Sequence, residues 1–343
     1  MPHANNLQRL SRVLGNLSEY TYPMLDLEAL KKELEQTRET IEPVEQPRLY
    51  QVETTTRCNL ECTFCPRTID LKVNKQRDLE ATMPINQFVR VLNNFPNLQS
   101  IELYHFGEPF MHKDFDEYVR ICAHRGITVL IATNLLPATP EKIDAVFEAG
   151  EGFLYFCMDV DSLDATRYAS MRVRGNLRML QERVRYVLKH PRRPYCVVHG
   201  VGVDGHPEYT PEQLQEWLGD DCPMPDEVRV KYLDSFRGAT TQHKQGMQPE
   251  DLCREPFYGC TVQVNGNVVP CNRDWAGEAV MGNIFEQSIE EIWRGEKFRA
   301  FQAQMKSTDK PDICKKCAEG RLFNARSQPR VQLNMFLGKE VEG

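Results

Sequence analysis

The sequence has no long hydrophobic run and no excess of positive charge. No stretch approaches the roughly 18 consecutive apolar residues of a membrane-spanning helix, and residues 1–20 lack the apolar core of a signal peptide. The 42 Lys and Arg residues are outnumbered by 49 Asp and Glu residues, which gives a formal charge of −7. An acidic protein has no general attraction for nucleic-acid phosphates. We therefore predict a cytoplasmic protein that binds neither nucleic acid nor membranes.

Cysteine, in contrast, is abundant. The chain has 12 cysteines, and clustered cysteines in a reducing cytoplasm indicate metal binding or catalysis rather than disulfides. Three of them lie within residues 58–65, and five lie within residues 253–317. The remaining four are Cys122, Cys157, Cys196 and Cys222. The two groups carry most of the functional information in the sequence.

The middle of the chain alternates between strand-like and helix-like segments. Repeated strand–helix units predict a parallel sheet, and six such units without a dinucleotide-binding glycine fingerprint favour an open barrel over a Rossmann sheet. Active sites on these sheets lie at the C-terminal ends of the strands. The predicted strands are 49–55, 100–104, 127–132, 153–158, 195–201 and 227–232, and the predicted helices include 140–148, 176–189 and 210–218.

The first cysteine group directly follows the first predicted strand. Cys58, Cys62 and Cys65 have the spacing Cys-x3-Cys-x2-Cys, so their thiolates can face one point only in a tight loop. A 4Fe–4S cluster needs four ligands, and three from the protein leave one iron open, as in catalytic metal sites that keep an open position. The alternative is zinc, with His105 or His112 as the fourth ligand.

The second group surrounds a predicted β-hairpin. Asn265-Gly266 lies between two segments in which apolar and polar residues alternate, and this dipeptide indicates a hairpin turn. Cys253 precedes the hairpin, Cys271 follows it, and Cys314-x2-Cys317 comes 42 residues later. Four thiolates make a closed site, either zinc or a fully ligated iron–sulfur cluster, and spacing alone does not separate the two. Cys260 lies in the first strand of the hairpin, where we expect a core residue.

With an aromatic residue directly before its third cysteine, the first group resembles the cluster motif of the radical S-adenosylmethionine (SAM) superfamily. Residues 253–293, with the Cys-x2-Cys that follows them, resemble the auxiliary-cluster domain of the SPASM and twitch subfamilies, in the shorter twitch form with one auxiliary cluster. The ends of three predicted strands are similar to family segments, at Gly107-Glu108-Pro109, at Thr133-Asn134 and at Met158-Asp159-Val160-Asp161-Ser162.

The resemblance implies an α/β fold with a partial (β/α)6 TIM-like barrel and a small C-terminal twitch/SPASM-like domain of a β-hairpin and a helix. That helix is predicted over residues 288–305. The domains we expect are a helical extension at 1–47, the barrel at 48–240, the auxiliary-cluster domain at 250–325 and a tail at 326–343.

The resemblance also implies the cofactors and their ligands. Cys58, Cys62 and Cys65 would hold a catalytic 4Fe–4S cluster, whose open iron would bind S-adenosyl-L-methionine. An auxiliary 4Fe–4S cluster would be held by Cys253, Cys271, Cys314 and Cys317. The further contacts to SAM would be Phe64 near adenine, Gly107, Glu108 and Pro109 near the methionine amino group, Asp159 or Asp161 at the ribose, and Arg172 or Arg174 at the carboxylate. Asn134 would be a further contact to SAM.

The activity implied is reductive cleavage of SAM to a 5′-deoxyadenosyl radical, which abstracts hydrogen from a small-molecule substrate such as a sugar, an aminocyclitol or a nucleoside. We expect a redox modification in natural-product biosynthesis, with the auxiliary cluster as electron acceptor and flavodoxin or ferredoxin as electron donor. The alternatives are a radical decarboxylase or epimerase, a ribosomal-peptide-modifying enzyme, a two-cluster electron-transfer protein without enzyme activity, and a zinc-bound scaffold.

The sequence does not identify which residue is the catalytic base or the hydrogen donor. The candidates for a base are His105, Glu108, His199 and His206, and each can equally be a capping or surface residue. The candidates for returning a hydrogen atom are Cys157 and Cys196, which can equally be buried core thiols.

Overall fold

The computed structural model describes residues 41–68, 77–202, 209–232, 252–315 and 317. The chain divides into two compact units, Met1–Ile41 and Glu42–Gly343, and all the secondary structure given below lies in the second. The helical extension predicted at residues 1–47 lies almost wholly outside the described residues, and the tail predicted at 326–343 lies wholly outside them. Both stay predictions.

Six parallel strands form the main sheet, and their order across the sheet follows their order in the chain. This confirms the predicted α/β fold, with strand positions close to the predicted ones. Two short strands, β2 (Glu61–Cys62) and β6 (Arg172–Val173), form a separate antiparallel ribbon. The strands of the main sheet are β1 (Arg48–Val52), β3 (Ser100–Glu102), β4 (Thr128–Thr133), β5 (Leu154–Asp159), β7 (Tyr195–Gly202) and β8 (Glu227–Tyr232).

Helices connect most of these strands and bury their apolar sides. Four of them begin at a capping side chain, since Thr139, Asp164, Asn176 and Thr210 each accept a hydrogen bond from the backbone N–H three residues on. None of the helices in the described part of the chain is long and apolar enough to cross a membrane. The helices are α1 (Ile85–Asn93), α2 (Phe115–His124), α3 (Pro140–Ala149), α4 (Ala165–Met171), α5 (Leu177–Lys189) and α6 (Pro211–Leu218).

Strand β5 lies in the middle of the sheet and is buried on both faces. On one face, the ring of Phe156 contacts Phe147 of α3, with centroids 5.2 Å apart. On the other face, Tyr155 and Cys157 pack against Val197 of β7. Because successive side chains of a strand alternate between faces, the odd-numbered residues of β5 and β7 share one side of the sheet.

A β-hairpin extends the main sheet beyond β1. Strand β9 (Gly259–Val262) pairs in parallel with β1 and antiparallel with β10 (Asn267–Val269), and β11 (Gly282–Asn283) pairs with β10. The predicted turn is present, and Gly266 in it has a φ of +84°, which glycine adopts without strain. The hairpin is therefore continuous with the barrel sheet, and the two regions share β1 as a common border.

Two short helices replace the single helix predicted over residues 288–305. Helix α8 (Ile289–Trp293) follows the short α7 (Glu255–Tyr258) in the chain and begins with a capping box between Ser288 and Glu291. Helix α9 (Glu296–Lys306) begins after Gly295, whose extended backbone (φ −67°, ψ 159°) interrupts the helical path. The prediction of one continuous helix is therefore wrong. The chain continues to a last short helix, α10 (Asp312–Lys315).

We expect Gly259→Val to weaken the pairing of β1 with β9. A Cβ at Gly259 would lie 2.4 Å from the carbonyl oxygen of Arg48 and 2.8 Å from the ring of Tyr50, so the strands would have to move apart. Overpacking of this kind costs about 1–3 kcal/mol, and the thermal unfolding midpoint, measured anaerobically, should fall.

Gly126→Asn is the matched control for this variant. A Cβ at Gly126 meets nothing within 4 Å, and its φ of +70° suits asparagine. Its unfolding midpoint should stay near that of the wild type. Equal midpoints for the two variants would contradict the parallel pairing.

Candidate active site

The loop with the first three cysteines leaves the C-terminal end of β1 and packs against the loop that follows β3. The backbone N–H of Glu108 donates to the carbonyl of Arg57 at 2.8 Å. Gly107 approaches the first loop so closely that a Cβ there would lie 2.0 Å from the carbonyl oxygen of Thr55. The predicted glycine is therefore required for the two loops to meet.

Cys58, Cys62 and Cys65 lie within electrostatic range of one another. Burial raises the pKa of Cys58 to about 12 and that of Cys62 to about 11, with smaller contributions from the neighbouring thiols. Across the described residues, no three His, Cys, Asp or Glu side chains are already placed to hold a metal ion. Cluster binding displaces the protons of these thiols, because the thiolate is the form that binds iron. Three soft thiol donors in one loop fit a 4Fe–4S cluster with one open iron.

The ribbon of β2 and β6 brings Arg172 to the cysteine loop. Cys62 lies opposite Arg172 in the ribbon, and the guanidinium group lies 3.6 Å from the Cys62 sulfur and 5.1 Å from the centroid of the Phe64 ring. Arg172 is buried and has two carboxylate partners, Asp161 at 2.5 Å and Asp159 at 3.2 Å. The structure thus brings four of the predicted site residues together around a fifth, the cation Arg172.

The two carboxylates of this cluster differ in their surroundings. Asp161 is buried, and both its oxygens are occupied, because it accepts hydrogen bonds from Arg172 and from the backbone N–H of Val201 at 3.0 Å. The side chain of Asp159 is 25% exposed and lies 3.8 Å from Nδ1 of His199. Of the two predicted ribose contacts we therefore propose Asp159, since Asp161 would have to give up an existing hydrogen bond.

Glu108 joins the ends of β3 and β4. Its carboxylate accepts hydrogen bonds from the hydroxyl of Thr133 at 2.6 Å, from the backbone N–H of Asn134 at 2.8 Å and from that of Phe110 at 3.2 Å. Burial outweighs these bonds and raises the pKa of Glu108 to about 7. Pro109 begins the 3-10 turn that Glu108 caps. The carboxyl group is therefore fixed in place, and its contact to the methionine amino group stays a prediction.

A pair of asparagines links the cysteine loop to the end of β4. Asn134 Nδ2 donates to Asn59 Oδ1 at 3.0 Å, and the reciprocal contact is 3.4 Å. The next residue, Leu135, has a positive φ of 65°, so the chain turns sharply there. Asn59 is not among the predicted site residues. Its position directly after Cys58 is the feature of the sequence that could have indicated a role in the site.

The second cysteine group lies around the hairpin. Cys253 and Cys271 interact electrostatically, and burial raises their pKa values to about 12 and about 11. Cys314 and Cys317 lie on one turn, where the N–H of Cys317 donates to the carbonyl of Cys314 at 2.9 Å. Four thiols fit a closed iron–sulfur site, and these four as its ligands stay a prediction. Cys260 is fully buried in β9, and burial alone raises its pKa, which agrees with a core position.

The two candidate hydrogen donors lie at different places along their strands. Cys157 packs in the apolar cluster with Tyr155 and Val197. Cys196 lies at the beginning of β7, where its sulfur is 3.3 Å from the carbonyl of Pro194 and burial raises its pKa to about 12. Cys196 therefore lies away from the active edge of the sheet, whereas Cys157 lies two residues before Asp159 on the same face of β5 and stays a predicted candidate.

The histidines predicted as candidate bases differ in their surroundings. His105 lies in a buried contact with Glu53 and with the backbone carbonyl of Asn272. His206 lies outside the described residues. His199 is buried at the end of β7, and within the described part of the chain neither of its ring nitrogens has a hydrogen-bond partner. Glu53 was not predicted, although a glutamate next to an apolar strand is itself a signal for a buried charge.

Two family models match the sequence. The Radical SAM superfamily model matches residues 52–218, which include the first cysteine group and the strand ends described above. The SPASM model, described as an iron–sulfur cluster-binding domain, matches residues 253–318, which include the hairpin and all four predicted auxiliary ligands.

Several known proteins are similar to the chain over most of its length. The S-adenosyl-L-methionine-dependent 2-deoxy-scyllo-inosamine dehydrogenase of Niallia circulans is 25% identical over 282 residues, which are 78% of this chain and 92% of that protein. The crystal structure of BtrN in complex with AdoMet and 2-DOIA matches 80% of this chain and 94% of its own, with a TM-score of 0.51 at 20% identity. Streptococcus suis SuiB bound to precursor peptide SuiA matches 91% of this chain and 87% of its own, with a TM-score of 0.59 at 14% identity.

The chain therefore belongs to the radical SAM superfamily and carries a SPASM domain, which confirms the resemblance found in the sequence. It is a radical SAM enzyme. Its cofactors are SAM, the 4Fe–4S cluster of the radical SAM domain and an auxiliary iron–sulfur cluster in the SPASM domain.

Arg172→Met is expected to destabilise the site strongly, because it leaves Asp161 buried without its cation. Breaking a buried ion pair in this way costs about 3–5 kcal/mol. The control is Arg174→Met, since Arg174 is 65% exposed and pairs with Glu61 at the surface, where such pairs contribute about 0–1 kcal/mol. Thermal denaturation under anaerobic conditions should show a large loss for the first variant and a small one for the second. Two equally small losses would contradict the buried cluster.

The pKa of Glu108 predicts a pH-dependent stability difference between the wild type and Glu108→Gln. Because the pKa rises from 4.5 to about 7 on folding, the folded state binds this proton more tightly than the unfolded state. The resulting stabilisation is complete below about pH 4.5 and is lost as the pH rises through about 7. Unfolding midpoints measured at several pH values should show the wild type losing stability relative to the variant, by at most about 1.4 kcal/mol per pH unit. A difference that is independent of pH would contradict the assignment.

Proposed function

We propose that this radical SAM enzyme is a dehydrogenase that oxidises a secondary alcohol of a small polyhydroxylated molecule, such as an aminocyclitol, a sugar or a nucleoside, to a ketone. The observation that carries the proposal is the match over 92% of a SAM-dependent aminocyclitol dehydrogenase, which covers 78% of this chain. The fold supports it, because the two predicted cluster sites are built next to the neighbouring strands β1 and β9.

When bound, SAM and the two clusters supply hydrogen-atom abstraction by a 5′-deoxyadenosyl radical and an acceptor for one electron. An alcohol becomes a ketone when its carbinol carbon loses one hydrogen atom, its hydroxyl loses one proton and one electron leaves. The chain itself must therefore provide a group that takes the hydroxyl proton and a site that excludes water.

His199 is the residue we propose as this proton acceptor. It lies opposite Asp159 in the pairing of β7 with β5, on the side of the sheet that carries the predicted SAM contacts. It is 8% exposed, and its ring nitrogens make no hydrogen bonds to other described residues. An unpaired buried polar group costs about 1–3 kcal/mol, so a partner supplied by the substrate or by SAM would remove that cost.

The other candidate bases are less suited to the task. The carboxylate of Glu108 already accepts three hydrogen bonds. A proton taken up there would disrupt the contacts that hold β3 and β4. His105 faces Glu53 on one side and the carbonyl of Asn272 on the other. Of the two ring nitrogens of His105, Nδ1 lacks a hydrogen bond but faces Glu53 at 3.4 Å, whereas both ring nitrogens of His199 lack one.

We further propose that flavodoxin or ferredoxin donates the electron for SAM cleavage. Both are electron carriers of the reducing cytoplasm, where we place this protein. None of its 12 cysteines is joined in a disulfide, and disulfides are rare in cytoplasmic proteins.

The test of the proposed function uses reconstituted enzyme, SAM, a reductant and a panel of substrates deuterated at their carbinol carbons. We expect an aminocyclitol, sugar or nucleoside to transfer deuterium to 5′-deoxyadenosine and to be recovered as a ketone. Cys314→Ala/Cys317→Ala should retain deuterium transfer and lose ketone formation, because the electron acceptor is removed. Release of carbon dioxide would instead identify a decarboxylase, and an epimerised alcohol would identify an epimerase. A modified peptide as the product would identify a peptide-modifying enzyme.

For His199→Gln we expect deuterium transfer to continue while ketone formation falls by about 10²–10⁴-fold, the usual contribution of a general base. Mass spectrometry of 5′-deoxyadenosine and of the product measures the two steps separately. The control is His124→Gln, since His124 is exposed at the end of α2. Unchanged ketone formation in His199→Gln would exclude His199 as the base.

A further inference from the structure

Glu53, directly after β1, lies at the junction of the barrel and the hairpin. Its backbone N–H donates to the carbonyl of Val262 at 2.9 Å and so continues the pairing of β1 with β9. Its carboxylate is fully buried and forms an ion pair with Arg77. The same carboxylate accepts a hydrogen bond from the backbone N–H of Val264 at 3.2 Å and lies 3.4 Å from Nδ1 of His105.

Both partners of Glu53 reach the segment that directly follows Cys271. The guanidinium of Arg77 donates to the carbonyl of Trp275 at 2.8 Å. Nε2 of His105 donates to the carbonyl of Asn272 at 2.7 Å. Barrel side chains thus hold both ends of the segment 272–275.

The hairpin holds the same segment from its own side. Gln263 Nε2 donates to the carbonyls of Asp274 and Trp275 at 3.0 and 3.3 Å. Asp274 is fully buried and accepts hydrogen bonds from the backbone N–H groups of Glu278 and Ala279. The polypeptide after Cys271 is therefore fixed by side chains on two sides.

The surroundings of Glu53 at this junction favour its charged carboxylate. Burial alone would raise the pKa of Glu53, but the neighbouring His105 ring and the charge of Arg77 outweigh it and lower the pKa from 4.5 to about 2. Arg77 and His105 have side chains that are 9% and 2% exposed. A buried pair of this kind contributes little net stability compared with apolar residues of the same size, so its use at this junction calls for another role.

We propose that Glu53, Arg77 and His105 are positioning residues for the auxiliary cluster, which fix the segment 272–275 and, through it, the ligand Cys271 relative to the barrel. The proposal rests on the proposed ligand set of that cluster. Residues that do not bind a metal themselves but support its ligands orient those ligands. Their loss typically lowers metal affinity by about 10–100-fold.

The test isolates the auxiliary cluster in a Cys58→Ala/Cys62→Ala/Cys65→Ala parent and adds Glu53→Gln to it. Iron release to a chelator should become about 10–100-fold faster. The reduction potential of the remaining cluster, followed by electron paramagnetic resonance, should rise, because the charge of Arg77 is then uncompensated and favours the reduced form.

The matched control is Glu227→Gln in the same parent. Glu227 also pairs with an arginine, Arg229, and with Tyr155, but it lies at the beginning of β8 and makes no described contact to the segment 272–275. This variant should release iron at the rate of the parent and keep its potential. If both variants release iron faster and change in reduction potential to the same extent, the effect comes from losing any glutamate charge. That result would overturn the proposal.

A second pair of variants covers the case in which Glu53→Gln does not fold. His105→Gln keeps a donor for the carbonyl of Asn272, and His105→Leu removes it. We expect rapid iron release from the leucine variant and rescue by glutamine. Iron release and potential that are unchanged in the folded variants would overturn the positioning role alone. A parent without iron would overturn the ligand set, and the positioning role with it.

Discussion

The pairing of β1 with β3 on one side and with β9 on the other is the constraint on which the rest of the structure depends. The loop that leaves β1 carries Cys58, Cys62 and Cys65, and the hairpin beside it is flanked by Cys253 and Cys271. One strand therefore sets the positions of the radical SAM domain and of the SPASM domain. A shift of β1 would move both cysteine groups at once.

The C-terminal ends of the strands concentrate buried charge, and most of that charge is paired. Arg172 holds Asp161 and Asp159, and Arg77 holds Glu53. Such pairs fix geometry more than they add stability, because desolvation offsets much of their attraction. Against this rigid background His199 stands out, since its buried ring has no hydrogen-bond partner among the residues described. We propose that this unsatisfied polar group, unlike the paired charges around it, is completed by a bound substrate or by SAM.

Much of the fold and part of the site could be predicted from the sequence, because strands, helices and the spacing of Cys58, Cys62 and Cys65 are local patterns. Contacts between distant segments could not. Nothing in the local sequence shows that β9 joins β1, since register and pairing depend on tertiary packing. The interruption at Gly295 was missed because a single glycine is tolerated in a helical pattern. The ion pair of Glu53 with Arg77 joins two segments without any motif.

The iron and acid-labile sulfide content of the anaerobically reconstituted chain tests the central claim most directly. The account predicts about eight iron atoms per wild-type chain and about four after Cys58→Ala/Cys62→Ala/Cys65→Ala. Reductive cleavage of SAM to methionine and 5′-deoxyadenosine should be lost in that variant. About four iron atoms in the wild type, falling to none in the variant, would remove the auxiliary cluster from the account. Zinc without iron would contradict it entirely.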